Sequence, residues 1–365
     1  MGLSRGLSPV LRAIEEDFEE RLPGYHKSRR EGLVTLAAVM VETRSANLME
    51  LAASLPRKIG SKDHRYQYIS RLLGNAKIDC DEVMAVYAGE IFAQLAAQGQ
   101  TIVVMLDQSK VNDFNEVLMV SVRIAKRALP VAWRVRRTRG NIGFATQEDL
   151  LNEVRGWLPA DAEVMLAADR FYGTAKLIGW CQDAGWGYRI RLKGNLSLGH
   201  EGGEMTTGEA LSLTPGGVEG AELYGSGVVT NIGLLHEKDH PEPWIIAMDA
   251  RPGNYTTLDY GLRWGIEPMF SDFKSRGFGL TQSHIENPER LERLILVMAI
   301  AMYWAVSCGA AEARKAAESG EKGGFENASG PSAPCSSRAC ASCDAASPAS
   351  AKSQGSGRPG QIEGW

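Results

Sequence analysis

Residues 101–111 read TIVVMLDQSKV, a short apolar strand that ends at Asp107. The chain changes character at this point. Upstream, LRAIEEDFEERL, GLVTLAAVMVETRSANLMELAASL, RYQYISRLL and DEVMAVYAGEIFAQLAAQ carry helical periodicity, separated by Gly, Pro and polar breaks. Downstream, NEVLMVSVRIA and LPVAWRVRR read as strands rich in Val, Ile and Trp. TQEDLLNEVRGWL then reads as a helix, with Thr146 as its cap and Asp149 in its first turn. EVMLAADR is a strand ending at Asp169, GTAKLIGWCQDAGW a helix and GYRIRLKGN a strand.

Three strands, helix, strand, helix, strand imply a mixed α/β sheet, antiparallel at first and then crossed over by helices. This is the strand order of a ribonuclease H-like fold. Residues 196–243 are rich in Gly, Glu and Thr, with β-like pieces such as GVVTNIGLL, and read as an inserted β-subdomain or long loops before the strand WIIAMDA. The expected division is a helical domain over 1–98, a sheet domain over 99–310 with its β insertion at 196–250, and a tail over 311–365.

With 44% apolar and 23% charged residues, the composition is that of a globular protein. The net charge of -4 argues against a generally basic nucleic-acid binder, but the charge is unevenly spread. Val117–Gln147 contains no acid and carries Arg123, Lys126, Arg127, Arg134, Arg136, Arg137 and Arg139. HKSRR at 26–30 and RKIGSKDHR at 57–65 are further basic clusters. Such local patches attract nucleic acid more than the total does. The helices over 1–98 read either as a DNA-binding module or as a cap without a ligand.

The N-terminus reaches EEDFEE without the apolar core of a signal peptide. LILVMAIAMYWAVSCGAA at 294–311 is uncharged, but its strongly apolar part is shorter than the roughly 20 residues of a membrane span. It continues the amphipathic NPERLERL, so a buried helix is expected. Scattered cysteines suggest a reducing compartment. Residues 317–365 are dominated by Ala, Ser, Gly and Pro and are expected to be disordered. Their Cys335, Cys340 and Cys343 lack the fourth ligand of a zinc site.

YGLRWGIEPMFSDFK at 260–274 holds Tyr260, Arg263, Glu267 and Lys274. On one helix these fall within an arc of roughly 60°. Leu262, Ile266, Met269, Phe270 and Phe273 occupy the adjoining arc. One side seeks a core; the other presents an acid among three groups able to bind phosphate, or a solvated face of spaced ion pairs. Pro268 disfavours helix at Glu267, so a kink or restart is expected there. Asp107 and Asp169 end different strands of one sheet, and Glu267 could join them. Three hard carboxylates around one opening suit magnesium. Strand-end Asp also caps turns, so each alone is weak evidence.

The chain resembles the DDE transposases of bacterial insertion sequences, in the branch with a Tyr-Arg-Glu-Lys signature. The signature Y-x2-R-x3-E-x6-K is met by Tyr260, Arg263, Glu267 and Lys274. LDQS, ALPVAWRVRRTRGNIGF, LAADRFYG, YRIRLKGN, RWGIEPMFSDFKSRGFGL and PERLERLILVMAIAMYWA look like family segments in family order, over residues 30–310. The resemblance implies a ribonuclease H-like core with a β insertion before the Glu-bearing helix. It implies Asp107, Asp169 and Glu267 as a catalytic triad binding Mg2+ (or Mn2+), with two ions. Tyr260, Arg263 and Lys274 would hold DNA near the cut. Trp244 would stack on a flipped base, or is simply a buried strand residue. Arg170 would contact phosphate, or pair with a neighbouring acid.

The activity implied is cut-and-paste transposition through a hairpin. The implied partners are terminal inverted repeats and target DNA, bound by a homodimer in the bacterial cytoplasm, on the chromosome, with no membrane. Family members continue past the last apolar helix with a basic helical segment. Here the chain turns to ESGEKGGFENASGPSAPCSSRACASC, as a shifted reading frame near codons 310–320 would give. Two other readings stand beside the transposase: a structure-specific nuclease on the same core, and a defective copy that binds element ends without cutting. Translation of the other frames tests the frameshift, which fails if none continues a helical tail.

Overall fold

The computed structural model describes residues 7–56, 60–214, 216–236 and 242–318. Five helices come first: α1 (Leu7–Arg21), α2 (Lys27–Thr43), α3 (Leu48–Ser54), α4 (Lys62–Leu73) and α5 (Cys80–Ala97). The long helical stretch of the second segment is interrupted after Thr43. Arg44 takes a left-handed conformation, and the Asn47 side chain caps α3 by accepting from the amides of Met49 and Glu50.

The sheet begins with β1 (Ile102–Lys110), β2 (Asn115–Ile124) and β3 (Arg127–Arg137), consecutive antiparallel neighbours. Helix α6 (Phe144–Arg155) leads to β4 (Val164–Ala168), and α7 (Ala175–Ala184) leads to β5 (Gly187–Arg191). Both crossovers give parallel pairs, β1 with β4 and β4 with β5. Gly143, not Thr146, caps α6; the chain is already helical at Phe144. The order β3-β2-β1-β4-β5 is consistent with the ribonuclease H-like arrangement.

The glycine-rich insertion extends this sheet. It supplies β6 (Ser197–His200), β7 (Gly203–Thr206), α8 (Thr207–Leu213), β8 (Gly216–Leu223) and β9 (Val229–Leu235). β10 (Trp244–Met248) then lies antiparallel between β5 and β9. The result is one ten-stranded sheet ordered β3-β2-β1-β4-β5-β10-β9-β8-β6-β7. The short helix α9 (Asn254–Leu258) packs on β9, where a Cβ at Gly233 would collide with Met248 and Thr257.

The signature segment at 260–274, expected as a helix with a kink or restart near Glu267, is a run of three helical pieces. Asp259–Gly265 is a 3-10 turn, α10 spans Ile266–Ser271, and Asp272–Arg276 is a π turn. Gly265 keeps helical dihedrals and lies close to β3: a Cβ there would be 3.1 Å from the Arg127 carbonyl carbon, a tight contact that glycine relieves. The helix restarts at Ile266. Pro268 then falls in its first turn, where a missing N–H costs no hydrogen bond.

Helix α11 (Pro288–Glu318) closes the fold. It continues past the expected boundary at 310. Its stretch Pro288–Gly309 is long and apolar enough by composition to cross a membrane, yet 78% of the apolar window is buried inside the protein. α11 packs on α2, α4, α5 and β3. It also covers the edge of the sheet. The Val135 amide donates to Glu292 Oε1 at 2.7 Å, and Trp133 Nε1 donates to the Glu292 carbonyl at 3.0 Å. One apolar core joins the five N-terminal helices, α11 and the sheet. Residues 319–365, with Cys335, Cys340 and Cys343, and residues 57–59 of the second basic cluster lie outside the described residues.

Arg293 ties α11 to the N-terminal helices. It is buried, and donates to the carbonyls of Ile78 and Leu73 at 3.1 Å each. Replacing it by leucine strips those carbonyls of their charged donor. Arg293→Leu is expected to lower unfolding stability by about 3 kcal/mol, read as a shifted midpoint in urea denaturation. An unchanged midpoint would show that water replaces the guanidinium at no cost.

Candidate active site

The site forms where β4 ends beside β1; β1 does not stop at Asp107 as expected but runs on to Lys110, because β2 keeps pairing with it. The parallel register pairs Leu106 with Ala168, so Asp107 and Asp169 follow side by side. Adjacent strands lie about 4.8 Å apart, which brings two carboxylates to one rim of the sheet. The turn after Asp169 is tightly placed. A Cβ at Gly173 would sit 2.5 Å from the Arg191 carbonyl oxygen, so only glycine allows this loop to lie against β5. Tyr224, just beyond β8, donates its hydroxyl to the Gly173 carbonyl at 3.0 Å. The insertion thus braces the loop that carries the second acid.

The 3-10 turn passes over β2, β4 and β5 and delivers Arg263 into the rim. Arg263 is 5% exposed. One terminal nitrogen lies 3.0 Å from Asp107 Oδ2 and 3.7 Å from Asp169 Oδ2. The other lies 3.1 Å from Glu267 Oε1. The three acids singled out in the sequence therefore converge on one guanidinium. Burial alone would lower the Arg263 pKa, but Tyr260 and the three carboxylates outweigh it and raise it. Asp107 is pushed up to about 6, because burial outweighs Arg263 and the Gln108 amide, and Asp169 and Glu267 add repulsion.

Lys274 reaches the same rim from the π turn and donates to Ser109 Oγ at 2.6 Å. Burial lowers its pKa. Ser109 was missed in the sequence, although it stands two residues beyond Asp107 and so shares its strand face. Tyr260 is buried, its phenol pushed up to about 12, first by that burial. Trp244 opens β10 and is 7% exposed, its ring edge-on to Tyr260 at 5.2 Å and to Trp264 at 5.7 Å. It is a buried strand residue that touches the site through Tyr260. Trp264 is half-exposed and was not singled out in the sequence. Arg170 pairs with Glu242 at 2.9 Å, and the same carboxylate oxygen takes Arg191 at 3.0 Å. The acid-pairing reading of Arg170 is the one its geometry supports.

Among the described residues, no three His, Cys, Asp or Glu side chains stand ready to hold a metal ion together. Glu267 is exposed and lies at the opposite arm of Arg263 from the two aspartates. The donor set still suits a hard divalent cation. All three side chains offer carboxylate oxygens, and a positive charge already rests among them.

Residues 142–304 match the family of the transposase DDE domain. The matched span holds Asp169 and the whole Tyr260–Lys274 segment; Asp107 lies upstream of it. The match supports a DDE transposase. No curated protein matches the chain.

Asp107 yields a test of this electrostatic setting. A folded-state pKa of about 6 lies above the ordinary 3.8 of the unfolded chain. Such an acid favours the folded state when protonated, so that contribution is complete below pH 4 and lost as pH rises through 6. In thermal melts with chelator, wild type should lose stability relative to Asp107→Asn between pH 4 and 6. Parallel curves would mean that Asp107 titrates normally.

Proposed function

We propose that the chain is the transposase of a bacterial insertion sequence, of the Tyr-Arg-Glu-Lys branch, acting on chromosomal DNA in the cytoplasm. Asp107, Asp169 and Glu267 are its catalytic carboxylates. The observation that carries this reading is their convergence on Arg263 from two strands and a later helix. Acids with perturbed electrostatics gathered around one buried guanidinium at the sheet rim are a candidate functional site.

The three carboxylates would hold Mg2+ or Mn2+, as one or two ions. When bound, such a cation polarises the phosphodiester and makes water a competent nucleophile at neutral pH. The chain's own groups do the rest. Lys274, anchored at Ser109, supplies a cation beside the carboxylates for a phosphate oxygen. Arg263 offers a fork of donors suited to phosphate. Tyr260 packs behind Arg263 and against Trp244, and so fixes the 3-10 turn. Trp264, half-exposed beside the buried Trp244, supplies an aromatic face for an extruded base. Cleavage frees a 3′-hydroxyl. That hydroxyl attacks a phosphodiester of the opposite strand, displacing the flanking DNA's 3′-hydroxyl and leaving a hairpin. Water hydrolyses the hairpin to restore the 3′-hydroxyl, which then attacks a target phosphodiester and displaces a target 3′-hydroxyl. Pairing of two element ends needs two copies of the chain.

Nicking of a labelled duplex that carries the element's inverted repeat tests the assignment. Magnesium-dependent nicking by wild type should fall about a thousandfold in Glu267→Gln, the scale of losing one electrostatic contributor to a transition state. Equal nicking by both proteins removes Glu267 from the site. Binding without nicking by wild type favours the end-binding, defective copy, and nicking that ignores the repeat favours the structure-specific nuclease.

Lys274→Ala tests the phosphate contact. Affinity should weaken alike on all sequences, and the slope of log affinity against log salt should become shallower by about one. An unchanged slope would mean that Lys274 serves only Ser109.

A further inference from the structure

We propose that Arg263 holds the place of the divalent cation until DNA arrives, so that metal and DNA bind the site together and poorly apart. This rests on the proposed function and adds a coupling that the reaction itself does not require. It makes Arg263 a positioning residue in the free protein.

The argument starts from charge. Asp107, within β1, and Asp169, just past the end of β4, stand side by side on adjacent parallel strands, and no other cationic nitrogen among the described residues is paired with either. Two carboxylates this close repel each other unless a cation stands between them. In the free protein that cation is the guanidinium of Arg263, which also takes Glu267 on its other arm. A metal ion that drew on the same three oxygens would meet a fixed positive charge in its place. At a few ångströms, in partly buried surroundings, like charges repel strongly, so each cation weakens the binding of the other.

The second observation is that Arg263 is not fully satisfied where it sits. Its Nε is buried and has no hydrogen-bond partner among the described residues. A buried donor left unmade is a standing cost. A phosphate group offers several acceptor oxygens to a guanidinium fork, and so competes well for it. Glu267, at the exposed end of the cluster, leaves a side open to solvent from which a phosphate can approach. When the guanidinium turns to phosphate, the three carboxylates lose their counter-ion and become a strong site for a divalent one.

Thermodynamic linkage makes the effect reciprocal: whatever factor DNA adds to metal affinity, metal adds to DNA affinity. The free protein would thus carry little metal at the site. Loading would follow engagement of DNA.

Mn2+ uptake, measured by the loss of the free-ion electron paramagnetic resonance signal, tests this without reference to cutting. Full-length wild type, Arg263→Gln, Arg263→Lys and Asp107→Asn would each be titrated with Mn2+, alone and with a duplex whose own Mn2+ uptake is subtracted. Wild type should gain about tenfold in Mn2+ affinity with duplex. Arg263→Gln should bind Mn2+ tightly without duplex and gain little from it. Its melting temperature should be low in chelator and rise more with Mn2+ than that of wild type. Arg263→Lys keeps the charge and should keep part of the duplex dependence; it carries the test if the glutamine variant does not fold. Equal wild-type affinity with and without duplex, in a form abolished by Asp107→Asn, overturns the coupling and leaves the metal site standing. Uptake that Asp107→Asn leaves unchanged in every sample removes the metal site itself, and the coupling with it.

Discussion

A single guanidinium lies where two strands, a 3-10 turn and a short helix meet, and its charge organises the rim of the sheet. Leu106 and Ala168 are paired in the parallel β1–β4 register, so Asp107 and Asp169, the next residue on each chain, leave that register side by side. Arg263 is buried between them and brings Glu267 with it. The cost of taking three acids and an arginine partly out of water is severe. Stability alone does not account for such a cluster, since apolar residues of the same volume would serve as well or better. The arrangement makes sense as a site that must later hold other charge, which is what the proposed phosphoryl transfer would ask of it.

The rest of the chain keeps that rim stiff. Crossover helices α6 and α7 force β1, β4 and β5 to run parallel, and parallel strands end at one edge. The insertion then joins β5 through β10 and sends Tyr224 back to the loop after Asp169. On the far edge, α11 covers β3 and fastens the N-terminal helices through Arg293. A site built on strand ends and clamped on both sides is held more closely than one on loops.

Much of this was legible because strands announce themselves. β1 and β4 are apolar runs that stop at an acid, and the alternation of helices and strands implies the crossovers. The four-residue signature was legible as spacing, but its geometry was not. Tyr260, Arg263, Glu267 and Lys274 line one face of an ideal helix, yet the chain there is a 3-10 turn, a short helix and a π turn. Gly265 also lies close against the Arg127 backbone, a tertiary contact no local pattern encodes. Glu242 escaped notice for a similar reason, since it meets Arg170 and Arg191 only after β5 and β10 have paired.

The broken helix has a consequence for the chemistry. In a straight helix the four signature residues would share one stripe and act as one unit. Here Arg263 belongs to the 3-10 turn, Glu267 to α10 and Lys274 to the π turn. Each is held by a different anchor: Tyr260 and Trp244 behind the first, the Gly265 contact beneath the second, Ser109 at the third. Both 3-10 and π turns have poorer hydrogen-bond geometry than α-helix and recur at functional hinges. On the proposed reading, these separate anchors would let Arg263 and Lys274 shift toward a phosphate while Glu267 keeps its place on α10. The signature spacing would then be met by three short elements whose separation lets a cation leave while an acid stays.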